Sequence, residues 1–487
     1  MDSSFPSSSI GLPSSMKYDL PPSLSDSARS YSVSVAPNGL QSVVGQASPA
    51  ATFTANSGTN LGNFVQNTVA FDIPCGQGIG IFMDPKETIL NFRLTWVVTT
   101  AVTATGPVCN LIGSASSFFD SLQVIHNNTP LEQVQNYGML FNQMINGSVN
   151  YAERYGGVSI SMGCDTNTQT GVDLPLAVGT YYFNFAVPLV SIIGLNTDKL
   201  IPVGAIQNLQ LQMMTANVLP VATYCTALTT SAVWSAPVLD QFSLNMRFID
   251  VGSQAASLLS QTLQDGKWFI KSKSYTNSNA NIPAGSSGFQ SLLLQIRNSS
   301  VNSLFVQYGL GSSALAVCPN QNFDSVNLTC VSLQLSIAGQ KYPNKALNPS
   351  QRPAECFAAY IAAWGGSSLK SYGGTMDRSS FNACYGTVPP NKDNSIVVPA
   401  AGLRATSQSD TNTNFIIVSN PNMHYNGFDI QRCAGSVLSG VNTRSSCPYL
   451  ELNINTATAA TATAFVWAMS DVILVVDVMS KQINAFI

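Results

Sequence analysis

Residues 119–145 read FDSLQVIHNNTPLEQVQNYGMLFNQMI, and residues 331–365 read VSLQLSIAGQKYPNKALNPSQRPAECFAAYIAAWG. Each opens on a strand-like pattern with Ser-Leu-Gln followed by Val124 or Leu335. Each crosses a short polar turn that carries a proline and ends in an aromatic-rich amphipathic run. In the first, Thr129-Pro130-Leu131-Glu132 has the form of a helix start, with Thr129 as cap, Pro130 at the first helical position and Glu132 reaching back. Val134, Tyr137, Phe141, Met144 and Ile145 follow at helical spacing, and Gly147 is placed to close the helix. In the second, Pro353 stands in the first turn, Phe357, Tyr360, Ile361 and Trp364 share a face, and Gly365 terminates. The spacing predicts one helix in each stretch.

Around these helices the period is two. NTVAFDIPC (67–75), ETILNFRLTWVVTT (87–100), FFDSLQVI (118–125), TYYFNFAVPL (180–189), AIQNLQLQMMT (205–215) and FSLNMRFIDV (242–251) read as strands set apart by turn residues. After a polar, helix-compatible connector, SQAASLLSQTLQD (253–265), the alternation resumes. KWFIKSKSYT (267–276), FQSLLLQIRNS (289–299), SLFVQYG (303–309), VNLTCVSLQLSI (326–337), NSIVVPA (394–400), NFIIVSN (414–420) and PYLELNIN (448–455) are the next strands. TAFVWAM (463–469) and DVILVVDV (471–478) read as two more, split by Ser470 and Asp471.

The halves align in order. ETILNFRLTWVV matches FQSLLLQIRNSS, SLQV (121–124) matches SLQL (332–335), NLQLQM (208–213) matches YLELNI (449–454), and FSLNMRFIDV matches DVILVVDVMS as the closing strand. The pattern is a tandem duplication: a first β-domain over 64–252, a connector over 253–266 and a second β-domain over 267–487. Residues 1–63, rich in Ser, Pro, Ala, Asn and Gly without an apolar period, read as an N-terminal arm, flexible or ordered on a neighbour. Within the arm SYSVSVAP (30–37) alternates and suits a strand added to another sheet.

Of the 487 residues 45% are hydrophobic and only 9% are charged, against roughly 25% charged in an average soluble chain. Interfaces are depleted in Lys, Glu and Asp, so a surface this poor in charge fits a chain in contact with copies of itself or a bland polar β-surface. The net charge of −3, with Lys17 and Arg29 the only basic residues among the first sixty, builds no field for nucleic acid. The start, MDSSFPSSSIGLPSSMKYDL, has neither the basic nor the apolar region of a secretory signal. The longest apolar stretch, AFVWAMSDVILVVDVM, is interrupted by Ser470, Asp471 and Asp477 and reads as strands of a soluble chain.

The chemistry-bearing residues are scattered. Ten cysteines, at 75, 109, 164, 225, 318, 330, 356, 384, 433 and 447, include no C-x-x-C pair, which excludes the usual zinc spacing and reads as free, mostly buried thiols. Sequons at Asn127, Asn146, Asn298 and Asn327 matter only on a secretory route. The two histidines, His126 and His424, read as surface-loop residues. CGQGIG (75–80) reads as a strand-connecting turn, and DTNTQTG (165–171) is half a calcium loop without its closing Glu. Trp96, Trp234, Trp268, Trp364 and Trp467 sit in apolar runs and read as core. No catalytic, cofactor-binding or metal-binding residue is expected, and no cofactor.

Seven to eight antiparallel strands per unit with long connections fit an all-β fold of two tandem jelly rolls, each with a short helix insertion. Two β-domains of this size, each with a helix after an S-L-Q strand, resemble the double jelly-roll major capsid proteins of the adenovirus hexon, tectivirus, virophage and polinton-like virus lineage. The likeness covers about residues 64–485 and rests on architecture, with FDSLQVIHNNTPLEQ and IPVGAIQNLQL in the manner of the family. It implies a structural protein of the virion, without enzymatic activity, whose homotrimers present six similar lobes and tile an icosahedral shell. Penton and minor or cement proteins, neighbouring trimers and, in parts of the lineage, an inner membrane are the implied partners. The segment 366–413 is the candidate outer loop. Competing readings are a receptor- or glycan-binding β-sandwich, and a carbohydrate-active jelly roll, which needs two carboxylates roughly 5–10 Å apart in a groove.

Overall fold

The structure is a computed structural model; it describes residues 29–39, 42–44, 66–100, 108–111, 113–149, 157–163, 177–216, 221–224, 233–234, 237–261, 263, 265–310, 325, 328–365, 424–431, 438–455, 458 and 461–486. Eight of the described strands build the two main sheets of the first unit: β1 (Arg29–Val35), β2 (Thr68–Ile73), β3 (Ile81–Thr100), β4 (Phe119–His126), β5 (Thr129–Gln135), β6 (Gly179–Pro188), β7 (Leu209–Thr215) and β8 (Val238–Asp250). They pair antiparallel into one sheet in the order β1-β8-β3-β6 and a second in the order β2-β7-β4-β5. Eight more follow: β9 (Lys267–Ile282), β10 (Gly288–Leu293), β11 (Val301–Leu310), β12 (Cys330–Ile337), β13 (Gln340–Leu347), β14 (Tyr425–Asp429), β15 (Tyr449–Ile454) and β16 (Ala462–Asp477). Their orders, β9-β16-β11-β14 and β10-β15-β12-β13, repeat the first two with every label raised by eight, and β17 (Gln482–Phe486) adds to β16. Two facing four-stranded sheets with this crossing order make a jelly roll, so the chain is two jelly rolls in tandem.

The sequence explains the sheets. Along β7 the burial alternates residue by residue, with Leu209, Leu211 and Met213 inside and Gln210, Gln212 and Met214 facing outward. The Ser-Leu-Gln strands hold equivalent places: Leu122 and Val124 face Met213 and Leu211, and Leu333 and Leu335 face Leu452 and Leu450. Leu211 therefore matches Leu450, two residues from the place the sequence match gives it. The match of ETILNFRLTWVV to FQSLLLQIRNSS slips by a whole strand. Residues 288–293 are the counterpart of β2, and β3 corresponds to β11.

Three further readings are corrected. Thr129–Gln135 is a strand: Asn127 and Asn128, at φ 46° and 63°, turn β4 back into β5, and helix α1 (Tyr137–Ser148) begins only after it. Two consecutive residues at positive φ close a two-residue hairpin of the primed type, which Asn tolerates better than most. Gly147 lies inside α1 and closes nothing. Residues 29–35 belong to the chain's own first sheet, paired with β8 along their whole length, and Ser42–Val44 also pairs with β8. That part of the expected arm is a strand of the first jelly roll. Finally, 462–477 is one strand; Ser470 and Asp471 do not break it.

The connector forms helix α2 (Gly252–Gln261), and the second predicted helix is α3 (Pro353–Ala363), with Pro353 in its first turn and Gly365 at φ 89° beyond its end. In both units the helix follows the fifth strand. CGQGIG is the turn between β2 and β3, with Gly76 and Gly78 at φ 76° and 117°. DTNTQTG, NSIVVPA, NFIIVSN and the segment 366–413 lie outside the described residues, as does the chain before Arg29.

One core fills the second jelly roll, around Leu304, Leu333, Leu450 and Val466. The other fills the first and continues past it, through Tyr137 and Phe141, into Tyr275, Phe305, Tyr360, Trp467 and Leu474 of the second unit. This continuity accounts for β16. Ala464, Val466 and Ala468 face the second core, while Phe465, Trp467 and Met469 on the opposite side join the first. A strand buried on both faces loses its alternation, which is why this stretch looks almost uniformly apolar.

Candidate functional site

The most elaborated part of the molecule is the seam between the two jelly rolls. The fifth strand, β5, carries Glu132 into it. The side chain is 2% exposed and accepts hydrogen bonds from the Ile192 N–H at 2.9 Å, the Ser274 hydroxyl at 2.7 Å and the Ser191 hydroxyl. Ser191 and Ile192 belong to the first unit and Ser274 to β9 of the second, so one carboxyl joins both. Burial pushes the Glu132 pKa up, against the pull of Ser191, Ser274 and Ile192. Tyr137 and Tyr275, fully buried beside it, are pushed well up by burial, and the charge of Glu132 adds to the effect.

Around Glu132 the contacts run in series along β9 and β16. Trp467 donates its indole N–H to the Gln135 carbonyl at 3.2 Å, and Asn136 donates its amide to Asn277 at 3.0 Å. The Thr197 and Ser272 hydroxyls meet at 2.6 Å, and the Lys273 N–H reaches the Asn196 carbonyl at 3.2 Å. His126, at the end of β4, accepts the Ile483 N–H at 3.4 Å.

The two helices close the other side. Tyr360 of α3 donates its hydroxyl to the Gln143 carbonyl of α1 at 2.7 Å, and Asn146 donates to the Tyr425 hydroxyl at 3.2 Å. A Cβ on Gly147 would come within 2.7 Å of the Tyr360 hydroxyl, so Gly147 serves helix-to-helix approach. Trp364 stacks on Phe305 at 3.8 Å between ring centroids and 20° between planes. The α3 helix lies over β14 at Gly427, where a Cβ would meet the Tyr360 backbone at 2.7 Å.

A second buried carboxylate stands in β16. Asp471 accepts hydrogen bonds from the Ser300 hydroxyl at 2.8 Å, the Asn302 amide at 2.8 Å and the Ser439 N–H at 2.8 Å, and lies 3.6 Å from the Lys271 ammonium. Burial pushes its pKa up, but these donors together outweigh it and hold the carboxyl below the usual range. A caged charge can sit mid-strand without breaking the strand.

Both histidines are buried, 4% and 1% exposed, contrary to their reading as loop residues. Burial lowers the His126 pKa. Asn146 and Asn298 are buried as well, which removes them as surface sequons. Trp96 and Trp467 are fully buried core residues, as expected. Cys75, Cys356 and Cys447 are free thiols, with Cys356 pushed up to about 12 by burial, and Cys330 is buried. Among the described residues no three His, Cys, Asp or Glu side chains converge as a metal site would require, and no helix is long and apolar enough to cross a membrane. What the geometry can do is mechanical. It locks two jelly rolls into one body.

No protein-family model and no curated protein matches the chain. Solved structures do. VP54 of PBCV-1, as fitted into a cryo-EM reconstruction of the virophage Sputnik, is 13% identical, with a TM-score of 0.55 over 97% of this chain and 99% of that one. A chain of the Sputnik virophage structure is 10% identical, with a TM-score of 0.54 over 97% and 90%. The Faustovirus major capsid protein is 9% identical, with a TM-score of 0.52 over 95% and 93%. The likeness is one of fold, and it spans both jelly rolls.

Proposed function

We propose that this chain is a viral major capsid protein, a structural component of the virion shell with no catalytic role. The observation that carries the reading is the pair of jelly rolls fused through a buried seam and shared, nearly end to end, with the Faustovirus major capsid protein. In this reading three chains assemble into a trimer with six similar lobes. Such a particle fills a hexagonal lattice position, because duplication within the chain supplies alternate lobes and three-fold symmetry supplies the rest. Trimers tile an icosahedral shell against neighbouring trimers, a penton protein and minor or cement proteins. The scarcity of surface charge suits close lateral packing.

Light scattering on the purified chain tests this. The expected mass is that of three chains. A single-chain mass at every concentration would refute the trimer, and a screen for glycan binding would then follow.

A further inference from the structure

A groove of about 340 Å³ runs over the outer face of the first unit's β2-β7-β4-β5 sheet, beside the seam, with Asn279 of β9 on its rim. Its floor is made of amides and hydroxyls. Gln123 on β4 stands opposite Gln133 on β5 and Gln212 on β7, and Ser121 stands opposite Gln135. Asp120 is the extra residue of a bulge in β4: Phe119 and Ser121 flank it, yet they pair with the consecutive residues Thr215 and Met214. A bulge re-aims its side chain, and this one lines the groove. Among the described residues, the side chains of Asp120, Gln123, Gln133 and Gln135 have no hydrogen-bond partner within the chain. Burial pushes the Asp120 pKa up with no donor to offset it.

The second jelly roll shows the same place put to another use. It carries the same bulge, with Val331 as the extra residue between Cys330 and Ser332. Gln334 stands opposite Glu451 as Gln123 stands opposite Gln212, but that pair is committed: Gln334 donates to the Pro343 carbonyl at 2.7 Å, and Glu451 is paired with Lys341. Phe289 stands where Thr68 does. A larger groove at the other end of the first unit's sheet is also satisfied from within. There Asp72 accepts the Gln210 amide at 2.9 Å, and Asn127 accepts the Asn208 amide at 2.9 Å. The groove beside the seam differs from both, because its donors and acceptors are left open and its one carboxyl bears a desolvation that no partner offsets.

We infer that this groove binds a neutral oligosaccharide, with Asp120, Gln123 and Gln133 receiving its hydroxyl groups. An amide carries a donor and an acceptor side by side, which matches two adjacent hydroxyls of a sugar ring. Gln123 and Gln133 sit on neighbouring strands about 4.8 Å apart, so successive amides reach successive hydroxyls. Asp120 accepts from hydroxyl donors. No Lys or Arg lines the groove, so an acidic sugar meets a like charge and no cation. The volume lies within the range of about 300–1,000 Å³ usual for small-molecule sites, which gather at domain junctions. The inference goes beyond the capsid reading and does not depend on it, because every lining residue belongs to one chain.

The test is an array of neutral, sialylated and sulfated oligosaccharides probed with the purified full chain, followed by calorimetric titration of the best neutral ligand. Binding to a neutral glycan is expected. Gln123→Ala and Gln133→Ala should each weaken it about fivefold to tenfold, the worth of one hydrogen bond. Thr68→Phe puts here the ring that Phe289 supplies in the second unit and should abolish binding. Thr68 is exposed on its strand, so this variant should melt like wild type. Gln207→Ala, in the larger groove, should bind like wild type. An array without a neutral ligand, a preference for acidic sugars, or neutral binding that survives Thr68→Phe overturns the inference. Should Thr68→Phe fail to fold, the two glutamine variants decide, and wild-type affinity in both overturns it.

Discussion

Glu132 on β5 and Ser274 on β9 meet at 2.7 Å across the boundary between the two jelly rolls. Three donors serve this carboxyl, so its removal orphans groups on both sides of the seam. Glu132→Ala should cost about 1–3 kcal/mol, the penalty for buried donors left unsatisfied. Glu132→Gln, which keeps one acceptor oxygen, should cost less. Chemical denaturation of both variants checks the ranking.

The same residue predicts a pH effect. Burial raises its pKa in the folded state, so folding favours the protonated form. The stability this contributes is complete below the ordinary Glu range and is lost as pH rises through the folded-state value. The melting temperature of Glu132→Gln, relative to wild type, should therefore rise between pH 4 and pH 8. A difference independent of pH would mean that Glu132 does not titrate in the seam.

Asp471 should behave in the opposite sense. Its pKa is held down, so its contribution is complete above the ordinary Asp range and disappears as pH falls through the folded-state value. Asp471→Asn should melt well below wild type at pH 7 and approach it in acid. Thermal scans from pH 7 down to pH 2.5 follow the convergence.

The hairpin between β4 and β5 shows why part of the fold is hidden in the sequence. Thr129-Pro130-Leu131-Glu132 satisfies the helix-start pattern, yet Asn127 and Asn128 have already turned the chain. Pro130 is tolerated because β5 ends its sheet, and Glu132 reaches the seam instead of its own backbone. The strands of the two Ser-Leu-Gln motifs were legible, because one buried face leaves a period of two. β16 reads as two strands instead of one, because Asp471 looks like a break and the residues that cage it lie far away in sequence. β1 reads as a strand, since Ser30, Ser32 and Ser34 alternate with Tyr31, Val33 and Val35, but which sheet it joins is given only by its pairing with β8. Glu132 was visible as a residue, but its partner Ser274 lies 142 positions on, and no local pattern joins them.

Were Thr129 a helix cap, Thr129→Ala would cost about 1 kcal/mol. As an exposed strand residue it should cost under about 0.5 kcal/mol. Asn128→Val, which forces a β-branched residue to φ 63°, should cost about 1–2 kcal/mol. Urea titrations of the two variants decide between helix start and hairpin.

Close approach of α3 to β14 depends on Gly427. Its replacement by Ala drives a Cβ to 2.7 Å from the Tyr360 backbone, so the helix must shift at a cost of about 1–3 kcal/mol. Gly157→Ala, with nothing within 4 Å of the added carbon, is the matched control and should melt like wild type.

The central claim is a shell-forming trimer built of six similar lobes. Electron-microscopic imaging of the purified particle tests it most directly. The account predicts class averages with a hexagonal outline and six lobes, alternating between two kinds. Isolated two-lobed particles, at concentrations where the protein is otherwise intact, would contradict it.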